Sequence, residues 1–217
     1  MEQEKQLRRS VAAALSLTDE NWYHYLLQSD LGSGGLSPQE EDLVIRGSME
    51  AAEELIQTLP QPFPEPEELL AGLNLTVTPV QEELREPFLY LAKIIPAAER
   101  VYFNTTLKTQ LQDFILNNCL EDLTPVENIL PLALYHESFH ALEETHPAIF
   151  TRSRMITRRL LGLFPYHKGL NSAPEIGAIH FSKILTGIRY SPCLYSQYVL
   201  LSLGKIPLAS LVPNVLR

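Results

Sequence analysis

The residues of this chain best suited to chemistry are His136-Glu-Ser-Phe-His140. Side chains at i and i+4 share one face of an α-helix, so both imidazoles can bind one metal ion. Glu137, one residue along, reaches a water beside the metal rather than the metal itself. Zinc with an open position brings the pKa of such a water to about 7, and a carboxylate base then makes hydroxide near neutral pH. With 6 His in 217 residues, chance supplies about 0.016 such motifs. The run also sits among Ile129, Leu132, Ala133 and Leu134, where unpaired polar groups are costly to bury.

Zinc ordinarily takes a third protein ligand. The charge distribution directs attention to one residue. Of the 26 acidic side chains, 25 precede residue 151, and only Glu175 follows it, among nine Lys and Arg. The net charge of −9 is therefore −17 for residues 1–150 and +8 for 151–217. Glu175 has a competing role, because Ser172-Ala-Pro-Glu175 is also a capping box. His180 is the alternative third ligand. Five residues apart, it and Glu175 lie about 140° around a helix from one another, so the two cannot both face one ion.

The helix motif followed by Glu175-Ile-Gly-Ala178-Ile-His-Phe181-Ser182 resembles the ImmA/IrrE-type metallopeptidases, small gluzincin-like proteins. Glu, Ala and Phe match that family's downstream pattern, and Ser182 stands for its usual Ala. Ile184-Leu185 and Pro192 are similar too. The resemblance covers residues 124 to 192. Ser138 and Phe139 depart from the family's small residues inside the first motif. The resemblance implies a zincin-like core, zinc on His136, His140 and Glu175, Glu137 as base, and a peptide or protein substrate.

Other groups take lesser parts. Glu143 follows His140 by three residues and can orient an imidazole, although a solvated helix end is an equal reading of it. Tyr166, His167 and Tyr190 are candidate donors to a developing oxyanion. His24 and His146 read as ordinary surface or capping residues. Glu137-Ser-Phe-His140 is also E-x-x-H, but a di-iron site needs a second such pair from another helix, and Glu143-Glu-Thr-His146 is on the same one.

The elements that position these residues read as mostly helical with a small sheet, hence α+β. Helices are expected at 3–17, from Pro38 to about Leu59 behind the Ser37 capping box, at 105–118, and at 124–145 behind a box formed by Thr124 and Glu127. Further helices are expected at 148–163, 173–187, 191–203 and 206–215. Strands are expected at 73–78 and 100–104, with a helical stretch between them. The proline-rich run 60–66 divides a helical appendage, 1–60, from a metal-binding domain at 69–217, with the connector drawn at 61–68. Arg152, Arg154, Arg158 and Arg159 fall on one expected helix, best paired with the acidic N-terminal part. The acidic balance, pI near 5.2, argues against nucleic acid. Cys119 and Cys193 form no framework. Neither terminus reads as a signal peptide or membrane span, so the expected location is cytoplasmic. A homo-oligomer is compatible with all of this. Two functions follow: a zinc-dependent hydrolase, most simply a metallopeptidase, or a zincin-like binding or regulatory protein without catalysis.

Overall fold

The computed structural model describes residues 2–30, 32–34, 36–82, 89–153, 155–160 and 164–212. The chain begins with three helices: α1 (Glu2–Leu15), α2 (Asp19–Ser29) and α3 (Pro38–Gln57). Their starts are written in the sequence. Ser37 Oγ accepts from Glu40 N at 3.3 Å while Glu40 Oε2 accepts from Ser37 N at 2.8 Å, and Pro38 takes the first helical position, where its missing N–H costs nothing. Thr18 and Asn21 cap α2 in the same reciprocal way.

A short α4 (Pro66–Gly72) leads into β1 (Thr76–Val80), β2 (Ala92–Ile95) and β3 (Arg100–Asn104). The sheet order is β1-β3-β2, with β3 parallel to β1 and antiparallel to β2. β2 is thus an edge. A helical stretch was expected there. Pro96 biases the preceding Ile95 toward extended backbone, and Ile94-Ile95 is a β-branched pair.

α5 (Thr105–Asn117) precedes α6 (Ile129–Glu144). The expected Thr124 capping box does not form. Residues Val126–Asn128 make a 3₁₀ turn, and the buried Thr124 hydroxyl bonds Leu120 O and Tyr198 OH. Pro131 gives the reason. In a helix opened at Thr124 it would be interior and lack its backbone hydrogen bond. From Ile129 it falls in the first turn, where no such bond is needed.

The helix expected over 148–163 is likewise corrected. Among the described residues of that span α7 (Phe150–Ser153) is the one helix, and β4 (Met155–Leu160) pairs antiparallel with β5 (Phe164–Gly169). Ile156-Thr157 is β-branched and favours the extended form. α8 (Ser172–Thr186) follows and ends at Gly187, φ 68°, a left-handed C-cap. α9 (Cys193–Ser202) follows it. Of the helix expected at 206–215, only a 3₁₀ turn at Leu208–Ser210 forms, and its last three residues lie outside the described ones. Among the described residues, no helix is long and apolar enough to cross a membrane.

The N-terminal helices share the core of the rest. Trp22, Tyr23 and Leu27 are fully buried in one cluster with Leu107, Leu111, Leu194 and Tyr198. The proline-rich run is tied down as well, since the Tyr135 hydroxyl donates to Pro64 O at 2.9 Å. α6 and α8 lie at the centre, and both carry residues into two core clusters. Their close approach depends on Gly177. A Cβ there would stand 2.5 Å from the Phe139 ring. The bulky residue inside the H-E-x-x-H motif is accommodated by a missing side chain on the facing helix.

Candidate metal centre

α6 is apolar on most of its surface, which suits a central helix. His136 and His140 project from one stripe, and their rings meet edge to face with centroids 4.9 Å apart. Glu175 comes from the first turn of α8. It does not cap that helix. The N-cap is Asn171 without a side-chain bond, and Ser172 Oγ is buried with no partner. The carboxylate is directed at the histidines instead.

The three ligand atoms converge. The two Nε2 atoms are 3.1 Å apart. Glu175 Oε2 is 3.3 Å from His136 Nε2, and Oε1 is 3.6 Å from His140 Nε2. Two imidazoles and a carboxylate, with one ligand atom from each within 4.8 Å of the others, form a donor set that could hold a metal ion, and nitrogen and oxygen donors of these types suit zinc. Two imidazole nitrogens this close also need a proton or a cation between them, because two lone pairs repel.

The charges respond to this crowding. Burial draws the His136 pKa down, but Glu175, with Glu137 and Glu143 further off, outweighs it and holds the ring above its ordinary value. Burial alone would raise Glu175. His136 and His140 instead hold it at about 2.

Of the two readings of Glu143, the orienting position is the one its contacts match. It is buried, its Oε1 lies 3.1 Å from His140 Nδ1, and its Oε2 accepts from Thr151 Oγ1 at 2.7 Å. An imidazole that donates through Nδ1 presents its Nε2 lone pair to a metal. Glu137 is held from another direction. Its Oε2 accepts from the Ile94 amide of edge strand β2 at 2.8 Å.

His136, Glu137, His140 and Glu175 line one end of a cleft of about 670 Å³. Tyr90 and Lys93 also line it, with the Lys93 ammonium 5.3 Å from the Tyr90 ring centroid. The Tyr90 hydroxyl donates to Glu82. Burial first, and that carboxylate second, push its pKa up to about 12, so it remains a neutral donor. Sequence reasoning missed Tyr90, Lys93, Thr151 and Gly177. None sits in a motif, and only the tertiary packing assigns them a place.

The remaining candidates stand elsewhere. His180 bonds Tyr23 OH through Nδ1 at 3.1 Å and Glu53 Oε1 through Nε2 at 3.3 Å, on the far side of α8. Tyr190 does not line the cleft. Its hydroxyl accepts from Asn128 Nδ2 at 3.2 Å and bonds Tyr195 OH at 2.8 Å. The side chains of Tyr166 and His167 lie outside the described residues. His24 is buried, not on the surface, beside Glu41 and Asp42 at 3.3 and 3.5 Å. His146 closes the C-terminal end of α6 against Leu142 O at 2.9 Å, which removes it from any second E-x-x-H site. Arg152 pairs with Glu144.

Compared with protein-family models, curated proteins and solved structures, the chain matches none. Its site is read from its own geometry.

Proposed function

We propose that this protein is a zinc-dependent hydrolase, most simply a metallopeptidase with a zincin-like core. The observation that carries the proposal is the convergence of His136, His140 and Glu175, one ligand atom from each within 4.8 Å of the others, with Glu137 lining the same cleft. The resemblance of the two motifs to ImmA/IrrE-type metallopeptidases supports the same reading.

A bound zinc supplies a Lewis acid that polarises the scissile carbonyl and acidifies water. The chain does the rest. Glu143 holds His140 in the tautomer whose Nε2 faces the ion. The Ile94 N–H occupies Glu137 Oε2, so Oε1 takes the proton of the attacking water and returns it to the leaving nitrogen. Ala92, also on strand β2, lines the cleft, so an extended substrate lies along a strand edge.

The test has two readouts. Purified protein reloaded with zinc should hold one equivalent and lose it in a His136→Ala, His140→Ala double variant. Peptide hydrolysis should fall at least about 10²-fold in Glu137→Gln, the lower end of general-base effects. Equal hydrolysis by both proteins would leave a zincin-like binding protein as the better account.

A further inference from the structure

The cleft has two unlike ends. Counting back from His136 on α6, Ala133 and Leu132 lie at i−3 and i−4, on the histidine's own stripe. Counting forward from Glu175 on α8, Ile179 lies at i+4. All three line the cleft. The two helix faces that carry the ligands therefore continue largely as hydrocarbon, with the Ser182 hydroxyl further along α8. Leu26 of α2, Leu107 of α5 and Val199 of α9 add apolar lining, beside Tyr195 and Ser196 of α9. Of Lys, Arg, Asp and Glu, the described lining holds Lys93, Glu137 and Glu175. Glu137 and Glu175 mark the ligand end, and Lys93 stands on β2, whose Ile94 amide binds Glu137.

We infer that this chamber selects a peptide substrate by a large uncharged side chain, aliphatic or aromatic, on the residue next to the scissile bond. The inference rests on the peptidase reading and deepens it. A group in the cleft must be tethered close to the bond that Glu137 serves, because that carboxylate and the ligand side chains line the same cleft. A volume of about 670 Å³ lies within the range of pockets that engulf whole ligands of drug size, so large side chains fit. A charged side chain would lose its hydration against the apolar part of this lining, away from Lys93, Glu137 and Glu175. The N-terminal helices belong to this selection, since Leu26 forms part of the wall.

Binding tests the chamber apart from hydrolysis. Zinc-loaded full-length Glu137→Gln protein is titrated with one peptide whose variable residue is Leu, Phe, Ala, Asp or Lys, and with an N-lauroyl amide of the same backbone. Leu and Phe should bind about 10- to 100-fold tighter than Ala, with Asp and Lys weaker still. Filling the chamber by Ala133→Phe, or by Leu200→Trp on α9 should the first variant fold poorly, should erase the Leu and Phe advantage. Equal binding of Leu, Ala and Asp overturns the inference, and so does an acyl amide preferred over every peptide. The parent reading fails separately. If zinc-loaded wild type cleaves none of these peptides while the Leu preference in binding stands, the chamber is right and the hydrolase is not.

Discussion

Helix α8 carries two histidine–carboxylate clusters five residues apart, and they are built for different ends. At Glu175 the helix meets two imidazoles of α6, and the two Nε2 atoms and two carboxylate oxygens face one another, with nearest distances of 3.1–3.6 Å. At His180 it meets the Tyr23 hydroxyl on one ring nitrogen and the Glu53 carboxylate on the other. The second cluster is satisfied: each nitrogen has its own partner. The first is crowded, with more lone pairs than protons to share. Residue type does not distinguish the two, but convergence does. The His180 cluster, with the Lys183–Asp19 ion pair at 2.6 Å and the Ser172 amide on Asp30 at 2.9 Å, clasps α8 to the N-terminal helices. That clasp holds Glu175 in place for the crowded cluster.

The comparison breaks most sharply if the clusters trade roles. Glu175→Gln should weaken zinc binding more than about 100-fold, beyond the 10- to 100-fold typical of outer partners. His180→Gln should leave it within about twofold. Competition titration against a zinc indicator reads both. A larger loss in His180→Gln would move the metal to the wrong cluster.

Gly177→Ala tests the approach of α6 and α8 that brings Glu175 to the histidines. The new methyl would overlap the Phe139 ring. Overpacking of this kind costs roughly 1–3 kcal/mol, and zinc affinity should fall with it. Phe139→Leu in the same chain should restore part of both, as read by thermal melts and titration.

The outer partners should show smaller effects. Glu143→Gln should cost about 10- to 100-fold in zinc affinity, and Thr151→Val less, because the valine removes only the donor that fixes Glu143.

pH dependence sharpens the contrast. Zinc needs His136 neutral, and its pKa is raised, so affinity should fall as pH drops through a value somewhat above 6.5. Metal-free stability follows the same pair. The raised His136 contributes fully below its unfolded value of about 6.5 and loses its contribution as pH rises through the folded pKa. The depressed Glu175 contributes above about 4.3 and loses its contribution as pH falls toward 2. The metal-free protein should therefore gain most from this pair between about pH 4.3 and 6.5, and zinc should flatten the upper limb. Melts at stepped pH with and without zinc check both signs.

Much of this site was legible because its signals are local. The His136–His140 spacing needs only helix geometry, and the capping residues at Ser37 fix α3. Glu175 stood out by charge alone, and its rival capping role fell only when α8 was seen to start at Ser172 with an uncapped Asn171. What the sequence hid depends on partners distant in the chain. β2 is four residues long and exists through its pairing with β3. The β4–β5 pairing overrode a helical reading of its arginines. Pro131 moved the start of α6 past Thr124, and the core that the N-terminal helices share with α5 and α9 rests on contacts distant in sequence. Thr151 and Gly177 act through Glu143 and Phe139, contacts that no spacing rule reaches.

The central claim is that one ion belongs at the crowded cluster. Crystals of zinc-reconstituted protein, measured at the zinc absorption edge, test it most directly. The account predicts one anomalous peak about 2.0–2.2 Å from His136 Nε2, His140 Nε2 and a Glu175 carboxylate oxygen. A peak beside His180 and Glu53, or none near His136 at full zinc loading, would contradict it.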